Sequence, residues 1–229
     1  MQKPITTLFM LTSVDGKISL GENDKLDVDK DFPKIKGVKE GLHQYYQLEK
    51  LTDYYSLNSG RTLAKVGVNK WKNVQKTVVK FVVIDNKPHF NLRGVDNMLK
   101  RSSKLFFITT NKNHPVFKRQ KAENLEIIYF KDKIDFKKVF KDLKEKHGVN
   151  RMTIQTGGTL NSIFLREGLI DKISIVVAPV LVGGKDTSAL IDGPSLKSIK
   201  EINKVRALKL ISIKKLKSSY INLKYKVLN

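Results

Sequence analysis

The chain of 229 residues carries 44 Lys+Arg against 22 Asp+Glu, a formal net charge of +22, and it contains no cysteine. A hydrophobic content of 40%, with eleven Phe, seven Tyr and one Trp, can build a core and excludes a disordered or collagen-like chain. Without cysteine there is no disulfide scaffold, thiol catalysis or Cys-ligated metal, and no apolar run approaches the roughly 18 residues of a membrane span.

Residues 5–12 open the chain as a predicted strand. The run ITTLFMLTSV (5–14) can pass for a signal-peptide core behind Lys3. However, threonines interrupt it, Asp15-Gly16-Lys17 follows at once, and no small-x-small cleavage site is present. A buried N-terminal strand and a cytoplasmic protein are therefore expected. Residues 21–39 are polar and weakly periodic and read as a long loop near one end of the sheet, of a kind that often serves function. A helix over 40–51 gathers His43, Tyr45 and Tyr46, with Tyr54 and Tyr55 just beyond, a cluster that suits a core or a pocket wall.

Strands are then predicted at 54–58, 78–84, 104–109, 125–130 and 151–155, whose near-continuous Val, Ile and Phe suit burial on both faces. Helices alternate with them. Over 135–147, Phe136, Val139, Phe140 and Leu143 recur at i, i+3, i+4, i+7 before Gly148, and over 158–168 Leu160, Ile163 and Phe164 precede Gly168. The pattern then changes: 172–182 is a long apolar strand, and 203–228 reads as a hairpin turning near Leu216–Ser219. Strand–helix alternation with an antiparallel ending predicts an α/β fold whose mixed, mostly parallel central sheet is flanked by helices. No internal repeat and no Pro/Gly/Ser linker is present, so residues 1–229 are expected to be a single domain.

The charge is unevenly placed: −1 over 1–60, +9 over 61–110, +6 over 111–151, −1 over 152–193 and +9 over 194–229. Only seven of the basic residues are Arg, whose planar fork phosphate and base readers favour, and no zinc-finger or RNP-type motif occurs. The excess reads as lysines on solvated faces, with a polyanion surface as the alternative. His43, His89, His114 and His147 stand far apart with no pair at helical ligand spacing, so no protein-ligated metal is expected.

The sharpest local signal is Ile154-Gln155-Thr156-Gly157-Gly158-Thr159-Leu160-Asn161, which runs from a predicted strand through two glycines into a predicted helix. Paired glycines permit close backbone approach, and the helix N-terminus offers N–H groups and a positive dipole end to a phosphate. The spacing is neither a Rossmann motif nor a P-loop, and Lys185 in VGGKDTS lacks the upstream glycine of a Walker motif. An ordinary tight turn satisfies the same spacing. Thr109, Thr110 and Lys112, after the strand KLFFIT, present hydroxyls and a cation that suit a phosphate dianion, or equally a capped loop. Asp15 is the obvious carboxylate for acid/base duty, although Asp15-Gly16 also suits a turn. Trp71 can stack on a heterocycle or simply pack.

Together, TSVDGKIS (12–19), QTGGTLNSIFLREGLIDKISIVVAPVLVGG (155–184) and the final hairpin resemble the reductase domain of riboflavin-biosynthesis deaminase/reductases, which has the dihydrofolate-reductase-like fold. The resemblance runs from about Ile5 to Val227. It implies a stand-alone NADPH-dependent reductase, because the family's separate deaminase domain needs a Cys/His zinc site that a cysteine-free chain lacks. By resemblance, Gly157, Gly158, Thr159, Leu160 and Asn161 cradle the NADPH pyrophosphate, so that a side chain at Gly158 is expected to strike it. Thr62 in SGRTL and Asn86 in VIDNK also contact the cofactor, and Thr109, Thr110 and Lys112 are assigned to its adenosine 2′-phosphate. Asp15 falls where the family's first strand ends beside the nicotinamide, as the catalytic candidate. Gln155, Asp24 and Lys70 are assigned to the substrate, and a homodimer is implied.

Three departures concern the substrate side. Val66 and Gln155 stand where the family commonly has acidic residues. The stretches 41–51 and 65–73 contain Lys but no Arg, where the family uses Arg on a ribose phosphate. An amide in place of a carboxylate loses the charge but still donates and accepts. The implied reaction reduces a ribosylamino-pyrimidine phosphate to its ribitylamino form, with hydride passing from nicotinamide C4 to the substrate's C1. Reduction of another pterin- or pyrimidine-like substrate, as in dihydrofolate reduction, is the first alternative. A non-catalytic polyanion-binding protein on the same fold is the second.

Overall fold

Each apolar run bounded by polar or glycine-rich residues becomes a strand, and the amphipathic stretches between become helices. The computed structural model describes residues 2–228. In chain order it forms β1 (Ile5–Thr12), α1 (Val28–Asp31), α2 (Lys39–Glu49), β2 (Tyr55–Ser59), α3 (Gly60–Lys65), β3 (Lys80–Ile84), α4 (Leu92–Arg101), β4 (Lys104–Thr109), β5 (Leu125–Tyr129), α5 (Phe136–Glu145), β6 (Arg151–Gln155), α6 (Gly158–Arg166), β7 (Lys172–Val177), β8 (Ala207–Lys215) and β9 (Ile221–Leu228). The chain divides into two compact units, one of Asp53–Thr156 with the residues up to Pro4, the other of Ile5–Thr52 with the chain from Gly157 onward.

In the first unit the strands lie in the order β5-β4-β3-β2-β6, and every pairing is parallel. Leu57, Val82, Val83, Phe107, Ile108 and Ile154 are buried, as strands covered on both faces require. One core cluster packs Val95 and Met98 of α4 on Phe81, Val83, Leu105 and Phe107. The four periodic residues of α5, Phe136, Val139, Phe140 and Leu143, are all buried, and the Asp135 side chain caps the helix by accepting from Lys138 N. β3 starts two residues later than the apolar run suggests, because Val78 is exposed and the approach is tied instead to Arg101 O by Thr77 N.

In the second unit β1 and β7 are parallel, whereas β9 is antiparallel to both β7 and β8. Phe9, Phe32, Leu42, Tyr45, Val176 and Tyr220 share a second core cluster, and the rings of Phe9 and Tyr45 stack at 5.1 Å. Stretch 21–39 is not simply a loop. It holds α1 and a 3-10 turn (Phe32–Lys34), capped by Asp27 and anchored by buried Val28, Phe32 and Val38. A four-residue helix is too short to leave a periodic signature. The strand expected over 172–182 stops at Val177, since Pro179 has no N–H to give a ladder.

The hairpin turns through Ser218 and Ser219, at φ 53° and 62°, the paired left-handed conformation that matches strand twist. Gln44 clamps this turn, accepting from Lys217 N and donating to Lys217 O, while the buried Tyr220 hydroxyl donates to Val38 O. Burial pushes that phenol up to about 12. A Cβ at Gly41 would lie 2.4 Å from the Tyr220 ring, so only glycine fits there.

Candidate active site

In a parallel sheet, ligands are met at the carboxyl ends of the strands, where the chain leaves each strand and polar groups can be presented. In the first unit these ends carry Asn58 and Ser59, Asp85 and Asn86, Thr109 and Thr110, and Gln155. Asn58 and Gln155 are register partners. Asn58 Nδ2 donates to Ser56 Oγ at 2.8 Å, and Ser56 Oγ donates to Gln155 Oε1 at 3.1 Å. This relay fixes the orientation of the Gln155 amide, carbonyl toward Ser56. Ser59 caps α3 through Thr62 N, and its hydroxyl lies 2.7 Å from that of Thr62.

Asp85 is the hub of the β3 and β4 ends. Its carboxylate, buried at 1% side-chain exposure, accepts from His89 N and Phe90 N and meets His89 Nδ1 at 2.6 Å and His114 Nε2 at 3.1 Å. Asp85 O accepts from the Thr109 hydroxyl, and Asn86 Oδ1 accepts from Thr110 N, so the β3 and β4 loops are tied together. Gly60 completes the packing: a Cβ there would lie 2.2 Å from Asp85 Cγ. Sequence reading missed this cluster. The signal for it was the carboxylate of Asp85 directly after an apolar strand, a buried charge that must find partners.

Of the residues expected on this unit, Asn86, Thr109, Thr110 and Gln155 fall at these strand ends, Thr62 lies in the first turn of α3 just beyond β2, and Lys112 follows as an exposed residue of the β4 loop. The Thr109 hydroxyl is occupied, donating to Asp85 O and accepting from Asn111 N. Lys70 is exposed at the end of a 3-10 turn. Val66 and Trp71 pack against the core, with Trp71 Nε1 donating to Val66 O and Arg101 over the ring at 5.4 Å. The indole is accordingly a packing element, and the position of the family's acidic residue faces apolar neighbours.

In the second unit the glycine turn enters α6, a nine-residue helix whose N-cap, Gly157, makes no side-chain cap bond. The two glycines differ. A Cβ at Gly157 would meet nothing within 4 Å, whereas one at Gly158 would lie 2.3 Å from Ala189 O and 2.4 Å from Asp192 Oδ2. A side chain at Gly158 therefore strikes the chain's own segment 189–192, in place of the bound group that the sequence reading expected. That segment is held by Asp192 N donating to Gly158 O and by Asn161 Nδ2 donating to Leu190 O. Thr159 is exposed and Leu160 half-buried.

The two motifs of this unit, more than 160 residues apart, interlock. Val14 N donates to Val180 O, and the Asp15 carboxylate accepts from Val182 N and Gly183 N. Lys17 Nζ donates to Gly184 O and Thr187 O, both at 2.8 Å. The Ser13 hydroxyl, above all, and the Gly183 and Val182 amides hold the Asp15 carboxyl at about 2. Asp171 of the LID motif braces β1 by accepting from Thr6 N. Asp24 lies exposed before α1.

A mixed α/β sheet of this order, with a glycine turn feeding a helix, defines the dihydrofolate-reductase-like class. Dihydrofolate reductase from Enterococcus faecalis, solved with NADP(H), matches at TM-score 0.51 and 9% identity over 98% of this chain and 97% of that one. Within that class the chain belongs to the RibD C-terminal domain family, whose model matches residues 4–221. Acinetobacter baumannii RibD has TM-score 0.68 and 16% identity, covering 99% of this chain and 59% of that one. The 2,5-diamino-6-ribosylamino-4(3H)-pyrimidinone 5′-phosphate reductase of Aquifex aeolicus is 27% identical over 113 residues, 48% of this chain and 50% of the relative. The matched region thus spans about half the length of that curated relative.

Proposed function

We propose that the protein is an NADPH-dependent reductase of a ribosylaminopyrimidine 5′-phosphate, the substrate class named for its Aquifex relative. The observation that carries the reading is the β6–α6 turn: an uncapped helix N-terminus beside Gly157, with open space where a side chain would stand. First-turn N–H groups at a helix N-terminus suit a pyrophosphate. Gly157, Gly158, Thr159, Leu160 and Asn161 would hold that group, Asn161 by fixing the 189–192 segment. Thr62, Asn86, Thr110 and Lys112 would hold the nucleotide beyond the carboxyl ends of β2, β3 and β4, with the buried Thr109 tying the β4 end to Asp85.

When bound, the cofactor supplies a hydride from nicotinamide C4 to the substrate's C1. The protein contributes placement and the exclusion of water. Gln155, its carbonyl turned to Ser56, addresses the pyrimidine with an amide where the family has a carboxylate, and Lys70 and Asp24 complete the assigned substrate contacts. Asp15 is a positioning residue in this reading. A carboxyl held at about 2 and bound by two backbone amides shapes the 180–184 loop and is unsuited to donate a proton near neutral pH.

The chain reads as a reductase that acts in the cytoplasm. Among the described residues no helix is long and apolar enough to cross a membrane. β8 supports a homodimer: all nine of its residues are exposed, including Leu208, Leu210, Ile211 and Ile213, and an apolar edge strand in water invites pairing. The test of function is a steady-state assay with 2,5-diamino-6-ribosylamino-4(3H)-pyrimidinone 5′-phosphate and its 5-amino-uracil counterpart. Substrate-dependent loss of NADPH absorbance is expected with one or both, and folded protein that turns over neither refutes the substrate assignment.

A further inference from the structure

The Asp85 hub contains a group that the proposed contacts do not use. His114 is fully buried, and its Nδ1 accepts from Val116 N at 3.1 Å, which leaves Nε2 to donate to Asp85 Oδ2. That ring is a fixed structural donor. His89 is different. Its Nδ1 lies 2.6 Å from Asp85 Oδ1, and its side chain is 33% exposed. Since Asp85 can only accept, Nδ1 carries the proton, and Nε2 on the far side of the ring faces away from the hub.

The ring is also held firmly. His89 N donates to Asp85 Oδ2, and His89 O accepts from Asn69 Nδ2 at 2.8 Å. The loop that carries it is joined to the β4 loop by the Asn86–Thr110 and Asp85–Thr109 bonds, and those loops also bear Lys87 and Lys112. A preorganised imidazole with a carboxylate behind it, on two lysine-bearing loops, is built to receive an anion. With a proton of the phosphate monoester shared between its oxygen and Nε2, the ring is hydrogen-bonded on both sides, and a charge-assisted bond of this kind is among the stronger ones.

We propose that His89 is a ligand for the 2′-phosphate of the cofactor's adenosine and sets a preference for NADPH over NADH. The inference rests on the cofactor reading above. The chemistry is that of a phosphate monoester, which the substrate's ribose 5′-phosphate shares, so the test must separate the two sources.

Dissociation constants for NADPH, NADH, adenosine 2′,5′-bisphosphate, 5′-AMP and ribose 5-phosphate would be measured on the full chain, wild type and His89→Asn. Asparagine keeps a donor near the Nδ1 position and deletes Nε2. The wild type is expected to prefer NADPH over NADH and the bisphosphate over 5′-AMP. In His89→Asn both preferences should fall about tenfold or more, with NADH binding unchanged. His89→Gln, whose longer amide reaches toward the Nε2 position, should retain more of the preference than His89→Asn. An unchanged preference in His89→Asn overturns the assignment, as does equal loss in both variants, which would place the effect in the tether to Asp85. Weakened ribose 5-phosphate binding with the bisphosphate unaffected gives the phosphate to the substrate and also overturns it. A wild type that binds neither nicotinamide nucleotide refutes the cofactor reading itself. Should the variants not fold, titration of the wild type followed by imidazole nitrogen shifts decides. The His89 signal should move with the bisphosphate and not with 5′-AMP, and no movement overturns the proposal.

Discussion

The two units use strands for different work. The Asp53–Thr156 unit is a run of five parallel strands closed in by helices, and the polar residues it presents at the carboxyl ends of the strands are Asn58, Asp85, Thr109 and Gln155. The other unit ends in an antiparallel hairpin whose outer strand is exposed along its whole length, and two of its motifs, 12–19 and 178–184, are spent on holding one another. Charge follows the same division. With the residues up to Pro4, the first unit holds 24 basic and 9 acidic residues, net +15, and the second holds 20 and 13, net +7. An excess on the unit that bears the nucleotide contacts proposed at Thr62, Asn86, Thr110 and Lys112 suits attraction of small anions. A motif can thus mark a structural lock as readily as a ligand contact, and only the partners of each side chain distinguish the two.

The largest effect should come from the hub of the first unit. Gly60→Val forces side-chain atoms into Asp85 and should cost about 3 kcal/mol or more, read as a lowered urea midpoint. Preserved stability would mean that the hub is plastic. In the second unit the paired glycines separate fold from ligand. Gly158→Ala meets a backbone carbonyl and should destabilise by about 1–3 kcal/mol. Gly157→Ala should stay within about 0.5 kcal/mol of the wild type while weakening NADPH several-fold. If the two variants behave alike, the distinction between the glycines fails.

Ser56→Ala removes the donor that orients Gln155 and should lower kcat/KM about tenfold with little change in NADPH affinity. Equal loss of cofactor binding would place Gln155 on the wrong ligand. On β8, Ile211→Asp with Ile213→Lys should convert a dimer to monomer in sedimentation at a stability cost within about 0.5 kcal/mol per chain. Unchanged sedimentation would move the contact elsewhere.

The smallest effect concerns Asp15, held at about 2 against an ordinary 3.8 chiefly by the Ser13 hydroxyl. Between those values the unfolded chain binds more protons, so this carboxylate's contribution is complete above about pH 4 and is lost as pH falls toward 2. Asp15→Asn should flatten that acid slope and leave stability near neutral pH without a pH-dependent difference. A slope retained in the variant would assign it to other carboxylates.

Much of the fold was legible because strands buried on both faces must be almost wholly apolar. β1, β4 and β6 begin and end at the residues predicted for them. The 21–39 stretch was misread because its order rests on three buried residues, Val28, Phe32 and Val38, which are too sparse for a period. The glycine turn was readable as a turn, but which glycine faces open space depends on segment 189–192, some thirty residues away. Likewise His89 and His114 look unrelated along the chain: His89 meets Asp85 four residues on, whereas His114, 29 residues on, reaches it only through the pairing of β3 with β4.

Hydrogen–deuterium exchange with and without NADPH tests the central claim most directly, because it reads both units at once. Slowed exchange is expected at 58–62, 85–89, 109–112 and 155–161, with β8 unchanged. Protection confined to the β8–β9 hairpin, or none at millimolar NADPH, would contradict the account.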